Sequence, residues 1–110
     1  MILNKKDIIG INQKYSNGCM INEGTLDFAL SQSKSSTDWI KELAMVIRSI
    51  ILDHVFEDGN KRTASIIIAH VVEYKGYKIK SNDIARVVLR TTSKGNLRRT
   101  YERLQNAIYR

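Results

Sequence analysis

The chain contains no proline, so every break between elements must come from glycine, asparagine and serine. It contains one cysteine, Cys19, which excludes an internal disulfide and fits a reducing compartment. No apolar run approaches the length of a membrane span; the longest stretches, such as residues 66–69, hold only a few residues. No secretory leader is evident either, because Lys5, Lys6 and Asp7 follow directly on the first four residues. Repeats and low-complexity linkers are also missing, the nearest approach being the polar stretch 31–36. These absences lead to the expectation of a soluble, cytoplasmic protein without a membrane partner.

What is present suits one small domain spanning residues 1–110. Apolar residues make up 43% of the chain, enough for one core and too many for a disordered segment. The charge is uneven. Residues 1–74 carry 8 Lys/Arg against 9 Asp/Glu, a net of −1, whereas residues 75–110 carry 10 against 2, a net of +8. A basic end of this kind suits an anionic ligand or an acidic partner. Nucleic acid ranks behind these, since no recognised DNA-binding motif is evident.

The hydrophobic spacing is helical throughout. Asn4 with Asp7 forms a capping box ahead of Ile8, Ile9, Ile11 and Tyr15, and the run Ser16-Asn17-Gly18 ends that helix. Asn22 is expected to cap a short second helix holding Leu26, Ala29 and Leu30. The polar stretch 31–37 reads as an exposed loop or a small hairpin. Thr37 or Asp38 then caps a long helix in which Trp39, Leu43, Val46, Ile47, Ile50 and Ile51 share one face. After a loop over about 55–59, a helix over about 60–74 buries Ala64, Ile67, Ile68, Val71 and Val72, and Gly76 stops it. Ser81 is expected to cap a helix to about Thr91, with Ile84, Val87 and Val88 inside. Ser93-Lys94-Gly95 makes a turn. Asn96 caps a last helix with Leu97, Tyr101, Leu104 and Ile108 as its stripe. The fold class predicted is an all-α bundle of five to six helices, with room for a small hairpin before the central helix.

The chemistry concentrates in residues 54–65, His-Val-Phe-Glu-Asp-Gly-Asn-Lys-Arg-Thr-Ala-Ser. The first N–H groups of a helix lack internal partners, and the helix dipole makes that end positive, so anions bind there. Lys61 and Arg62 add two cations in the first turn, the wrong end for them unless a strong anion is to be held. Gly59 lets the backbone approach a ligand closely. Asp58 offers a carboxylate for the Mg²⁺ that accompanies a polyphosphate. Histidine exchanges a proton near neutral pH, so His54 at the rim can act as a general base. Phe56 is expected to turn inward and Glu57 outward. Taken singly, each residue has a plain reading: a helix-end histidine is commonly a cap, Asp-Gly-Asn a turn, Lys-Arg a solvated first turn. The case rests on their order between two apolar helices. His70, in mid-helix, reads as packed or bridging, not catalytic.

This run resembles the signature of the Fic/Doc (death-on-curing) family, His-x-Phe-x-Asp/Glu-Gly-Asn-Gly/Lys-Arg, which His54, Phe56, Asp58, Gly59, Asn60, Lys61 and Arg62 match at every fixed position. The likeness extends over most of residues 5–80, and the size resembles the short, toxin-like members. The resemblance implies an all-helical fold and a nucleotide-dependent transfer onto a protein hydroxyl, either of AMP from ATP (Fic type) or of the terminal phosphate (Doc type, acting on a translation factor). It implies that His54 is the general base, that Asp58 binds Mg²⁺, and that Gly59, Asn60, Lys61 and Arg62 hold the phosphates of ATP. It places residues 31–37 near a flap that aligns the target. Val55 replaces the common proline, Lys61 the glycine of AMP-transferring members, and Ser65 the second arginine that holds the terminal phosphate there. The self-inhibiting motif Ser/Thr-x-x-x-Glu-Gly/Asn does not occur among these residues, which implies that a separate antitoxin supplies the glutamate. Two other functions compete: a catalytically silent nucleotide-binding module, and, last, a basic nucleic-acid binder.

Overall fold

The computed structural model describes every residue except Lys94. The expected turn at Ser93-Lys94-Gly95 therefore lies partly outside the described residues.

The first helix, α1 (Lys5–Gln13), starts on the expected capping box: the Asp7 N–H donates to Asn4 Oδ1 and the Asn4 N–H to Asp7 Oδ2, each at 2.9 Å. Ile8 is buried completely. Tyr15 is not part of the apolar side; it lies beyond the helix end and is 55% exposed.

The second helix, α2 (Glu23–Ser33), is longer than the spacing suggested. Residues 31–33 are helical and the residues up to Asp38 form a turn, so no hairpin forms there. The Ser33 and Ser35 hydroxyls donate back to the carbonyls of Leu30 and Gln32, which lets a serine-rich segment end a helix without strand pairing. Lys5 reaches across from α1 to Glu23 (2.6 Å) and Asp27 (3.0 Å), tying the two helices at their surface.

At the centre is α3 (Trp39–Leu52), whose N–H groups at Ile40 and Lys41 are capped by Asp38 Oδ1. Leu43, Ala44, Val46, Ile47 and Ile50 have no solvent exposure, because α2, α4 (Asn60–Tyr74), α5 (Ser81–Ser93) and α6 (Leu97–Ala107) all pack on this helix. Gly76, at φ +82°, stops α4, and the Tyr77 N–H returns to the Val72 carbonyl at 3.0 Å. Ser81 is already inside α5 and so is not its cap; the Lys80 carbonyl takes the first N–H bonds, from Asp83 and Ile84. Asn96 caps α6 as expected, accepting from the N–H groups of Arg98 and Arg99.

The chain end folds back onto the bundle. Lys78 and Tyr109 exchange two backbone hydrogen bonds of 2.7 and 2.9 Å. The Arg110 guanidinium lies 4.9 Å over the Tyr77 ring, and Tyr77 packs against Trp39 with ring centroids 5.5 Å apart. Among the described residues the protein is an all-α bundle of six helices around one continuous core, with isolated bridges instead of a sheet. Among the described residues no helix is long and apolar enough to cross a membrane.

Candidate active site

The site begins where α3 must stop. Asp53 closes the helix, its N–H bonding to the Ser49 carbonyl, and His54 follows with φ +47°, the one non-glycine residue at positive φ among those described. The Val55 N–H then reaches back to the Ile50 carbonyl at 3.4 Å. That is a left-handed helix stop of the kind glycine normally makes. A histidine there carries backbone strain on the order of 1 kcal/mol, and such strain in a cleft points to a side chain held for use. Valine at 55 also contributes something a proline cannot, since proline has no N–H to close the helix end.

Asn22 was the expected cap of α2, but its side chain makes no cap bond. Instead its Nδ2 donates to the carbonyls of Asp53 (2.6 Å) and His54 (3.3 Å), holding the turn that presents the imidazole. Alongside, the N–H groups of Ile21 and Asn22 donate to the Val55 carbonyl and the Glu57 N–H donates to the Cys19 carbonyl. Residues 19–22 therefore run as an extended strip beside the motif loop, with Met20 opposite Phe56. This corrects the position expected for residues 31–37. They adjoin the N-terminal end of α3, and His54 follows its C-terminal end, about 20 Å away for 14 residues at 1.5 Å each.

Two side chains of the motif shape the loop from inside. Phe56 has no exposure and anchors it to the core. Asn60 was expected among the phosphate-holding residues, but both ends of its amide are spent on Phe56: Oδ1 accepts from the Phe56 N–H at 2.9 Å and Nδ2 donates to the Phe56 carbonyl at 2.8 Å. Its side chain closes the loop while still bordering the cleft, and its first-turn backbone N–H is added there for an anion.

Gly59 has φ +78°, and a Cβ there would sit 3.1 Å from Asn12 Nδ2 and 3.4 Å from Ser16 Cβ. The glycine is thus required by the protein's own backbone and by Asn12, in addition to any close approach it allows a ligand in the cleft it borders. Asn12 is 1% exposed and uses its whole amide: Nδ2 donates to the Asp58 carbonyl (2.9 Å) and Thr63 Oγ1 (3.1 Å), while Oδ1 accepts from the Gly18 N–H (2.9 Å). Sequence reasoning missed this residue. Its one signal is an asparagine on the apolar side of a helix, next to Ile8 and Ile11.

The remaining motif residues face outward. His54, Glu57, Asp58, Gly59, Lys61 and Arg62 line one open cleft of ≈ 500 Å³, which Asn60 also borders and which Ile51 and Leu52 from α3 and Thr92 from α5 complete. Glu57 is exposed, as expected, and Asn17 reaches it only weakly, at 3.4 Å. The Arg62 guanidinium lies 4.9 Å over the ring of Tyr15, so an aromatic face steadies one of the two cations. At the next turn the Ser65 hydroxyl donates to the Lys61 carbonyl at 2.9 Å, satisfied within its own helix. Among the described residues no three His, Cys, Asp or Glu side chains group as a metal cage. The carboxylate of Asp58 fits Mg²⁺ arriving on a nucleotide, which takes one or two protein carboxylates and completes its shell with phosphate and water.

The cleft therefore pairs an imidazole and two carboxylates with two cations and the positive tip of α4. No curated protein matches the chain, and no solved structure matches it. A sequence model described as the Fic/DOC family matches residues 3–72, a stretch that runs from α1 through the cleft and into α4. The chain belongs to the Fic/DOC family.

Proposed function

We propose that the protein is a nucleotide-dependent transferase that modifies a hydroxyl group of a target protein. The observation that carries this reading is the convergence of His54, Asp58, Lys61 and Arg62 on one cleft at the N-terminus of α4. The free N–H groups of that first turn, with Lys61 and Arg62, hold the phosphates of ATP. Asp58 would hold Mg²⁺ on the protein side, and the ion would supply charge neutralisation for the phosphates. His54 takes the proton from the target hydroxyl, whose oxygen attacks phosphorus. A new P–O bond to the target forms as an anhydride P–O bond breaks. Attack at the α-phosphorus transfers AMP and releases pyrophosphate; attack at the γ-phosphorus transfers phosphate and releases ADP.

Lys61 and Ser65 bear on that choice, because Ser65 provides a hydroxyl committed to its own helix where a second arginine would offer a cation. The same reading makes the chain the cytoplasmic toxin of a pair, with a translation factor as the class of target and a separate antitoxin that inserts an inhibitory glutamate.

The deciding experiment incubates the protein with Mg²⁺, cell extract and ATP labelled at either the α- or the γ-phosphate. Protein-bound label from one of the two is expected, lowered by about 10²–10⁴-fold in His54→Ala. If ATP binds by calorimetry yet neither label is transferred, the silent nucleotide-binding module replaces the transferase. Equal transfer by His54→Ala would remove the imidazole from the mechanism.

A further inference from the structure

A largely apolar hollow of ≈ 450 Å³ opens between α2 and α3. Gly24 and Phe28 line it from α2, Met45 and Arg48 from α3, Asp53 from the residue that ends α3, and Leu97 from α6. Its size falls in the range of a ligand seat, about 300–1,000 Å³. Phe28 stands 66% exposed there, and a Cβ on Gly24 would meet nothing within 4 Å. Ile21, in the strip beside the motif loop, is 57% exposed as well. Large apolar side chains left in water around a hollow mark a surface that a partner covers, and aromatic ones carry much of the affinity there.

Place and charge together say which partner. Asp53 directly precedes His54, and Asn22 Nδ2 holds the carbonyls of both, so the hollow and the imidazole share one clamped turn. Consecutive Cα atoms are about 3.8 Å apart, so an occupant that touches Asp53 lies one residue from the backbone of His54. The charged residues of the hollow, Arg48 and Asp53, cancel, and Arg48 Nε is committed to the Gly95 carbonyl. A polyphosphate gains nothing from such a lining, whereas a neutral apolar group does. The nucleotide belongs at the tip of α4, and the reactant left for this edge is the protein that brings the hydroxyl.

We propose that the α2–α3 hollow seats a large apolar side chain of the target protein, which rests on the transfer reaction proposed above. Targets are then selected by an apolar residue close to the modified hydroxyl, and Phe28 is the specificity-determining residue that packs against it.

The test measures initial rates of label transfer from ATP to protein over a range of cell-extract concentrations, for the full chain and three variants. Phe28→Ala removes the exposed ring, Gly24→Trp fills the hollow with an indole, and Leu89→Ala removes an equally exposed side chain on α5. Transfer by Phe28→Ala and Gly24→Trp is expected to fall about tenfold in dilute extract, the cost of one buried apolar anchor. Raising the extract concentration restores the rate of Phe28→Ala, because the loss is in target affinity. ATP affinity by calorimetry stays that of the unaltered protein, and Leu89→Ala transfers at the unaltered rate. If Gly24→Trp does not fold, Phe28→Ala decides alone. No transfer by the unaltered protein would remove the transferase reading and this inference with it. An unchanged rate in Phe28→Ala, or an equal loss in Leu89→Ala, would overturn the inference alone. So would a fall in ATP affinity in the two hollow variants, which gives the hollow to the nucleotide. A dimer in light scattering that Gly24→Trp dissolves would give it to a second copy and overturn the inference too.

Discussion

Replacing Gly59 by alanine separates the glycine's role in the fold from any role toward a ligand. At φ +78° an alanine meets the left-handed penalty, about 1–2 kcal/mol. Its Cβ would also stand 3.1 Å from Asn12 Nδ2, so Asn12 must move. That amide nitrogen holds both the Asp58 carbonyl and Thr63 Oγ1, and loosening such a bond costs about 0.5–1.5 kcal/mol. The expected loss is about 2–3 kcal/mol in all. Gly76 provides the control. Its φ is +82° and a Cβ there would meet nothing within 4 Å, so Gly76→Ala carries the dihedral term alone. The gain from restricting the unfolded chain applies equally to both substitutions and cancels in the comparison. Urea unfolding without nucleotide should therefore rank Gly59→Ala about 1 kcal/mol below Gly76→Ala. In an Asn12→Ala background the extra cost at Gly59 should vanish, leaving the two glycine substitutions alike. Equal losses in the unaltered background would refute the contact argument. A deficit at Gly59 that appears only when nucleotide is present would return the glycine to ligand approach.

Two further outcomes follow from contacts around the site and the core. Tyr15→Ala removes the face under Arg62 and should weaken ATP binding about two- to fivefold by calorimetry, whereas Tyr15→Phe keeps the ring and should stay within about twofold; equal losses would assign the effect to the phenol hydroxyl instead. Tyr101 donates its hydroxyl hydrogen to Asp38, and that bond, with burial adding to it, raises the Tyr101 pKa above the ordinary tyrosine value of 10.0. The folded protein thus holds this proton more tightly than the unfolded chain, so the contribution is complete below pH 10 and disappears as pH rises through the folded value. The stability difference between the unaltered protein and Tyr101→Phe should be constant from neutral pH to about 9 and shrink above 10, as read from unfolding midpoints; a difference that stays flat through pH 11 would contradict it.

The helices were legible wherever a polar cap stood before an apolar stripe, as at Asn4, Asp38 and Asn96, because both signals are local. Asn22 and Ser81 misled for two reasons: a residue type suited to capping can be recruited by a partner distant in sequence, as at Asn22, or be preceded by a backbone carbonyl that takes the first N–H bonds, as at Ser81. Asn22 is 31 residues from Asp53, and nothing in the local sequence announces that bond. The stretch 31–37 misled because serine is read as a helix breaker, yet its hydroxyl can bond back within the turn and let the helix run on. At the site, the residue types were legible and their division of labour was not. Asn12 and Tyr15 lie some 45 residues before the groups they support, so only the packing of α1 against α4 brings them together.

That division has a physical logic. A cleft made from one short loop must display charged groups to water while keeping its own backbone from collapsing around them. Phe56 and Asn60 turn inward, the first burying apolar surface and the second satisfying both backbone groups of Phe56, so the loop is closed at its base by residues committed to its own backbone and core. His54, Asp58, Lys61 and Arg62 turn outward on that base. Polar residues thus serve both ends of the design, the neutral amide of Asn60 at the base of the loop and Asp58, Lys61 and Arg62 on its outer side. A motif of this kind is specific because its inward half fixes the geometry and its outward half uses it. It follows that an inward substitution should fail as a loss of fold measured without ligand, and an outward one as a loss of chemistry in a protein that still folds.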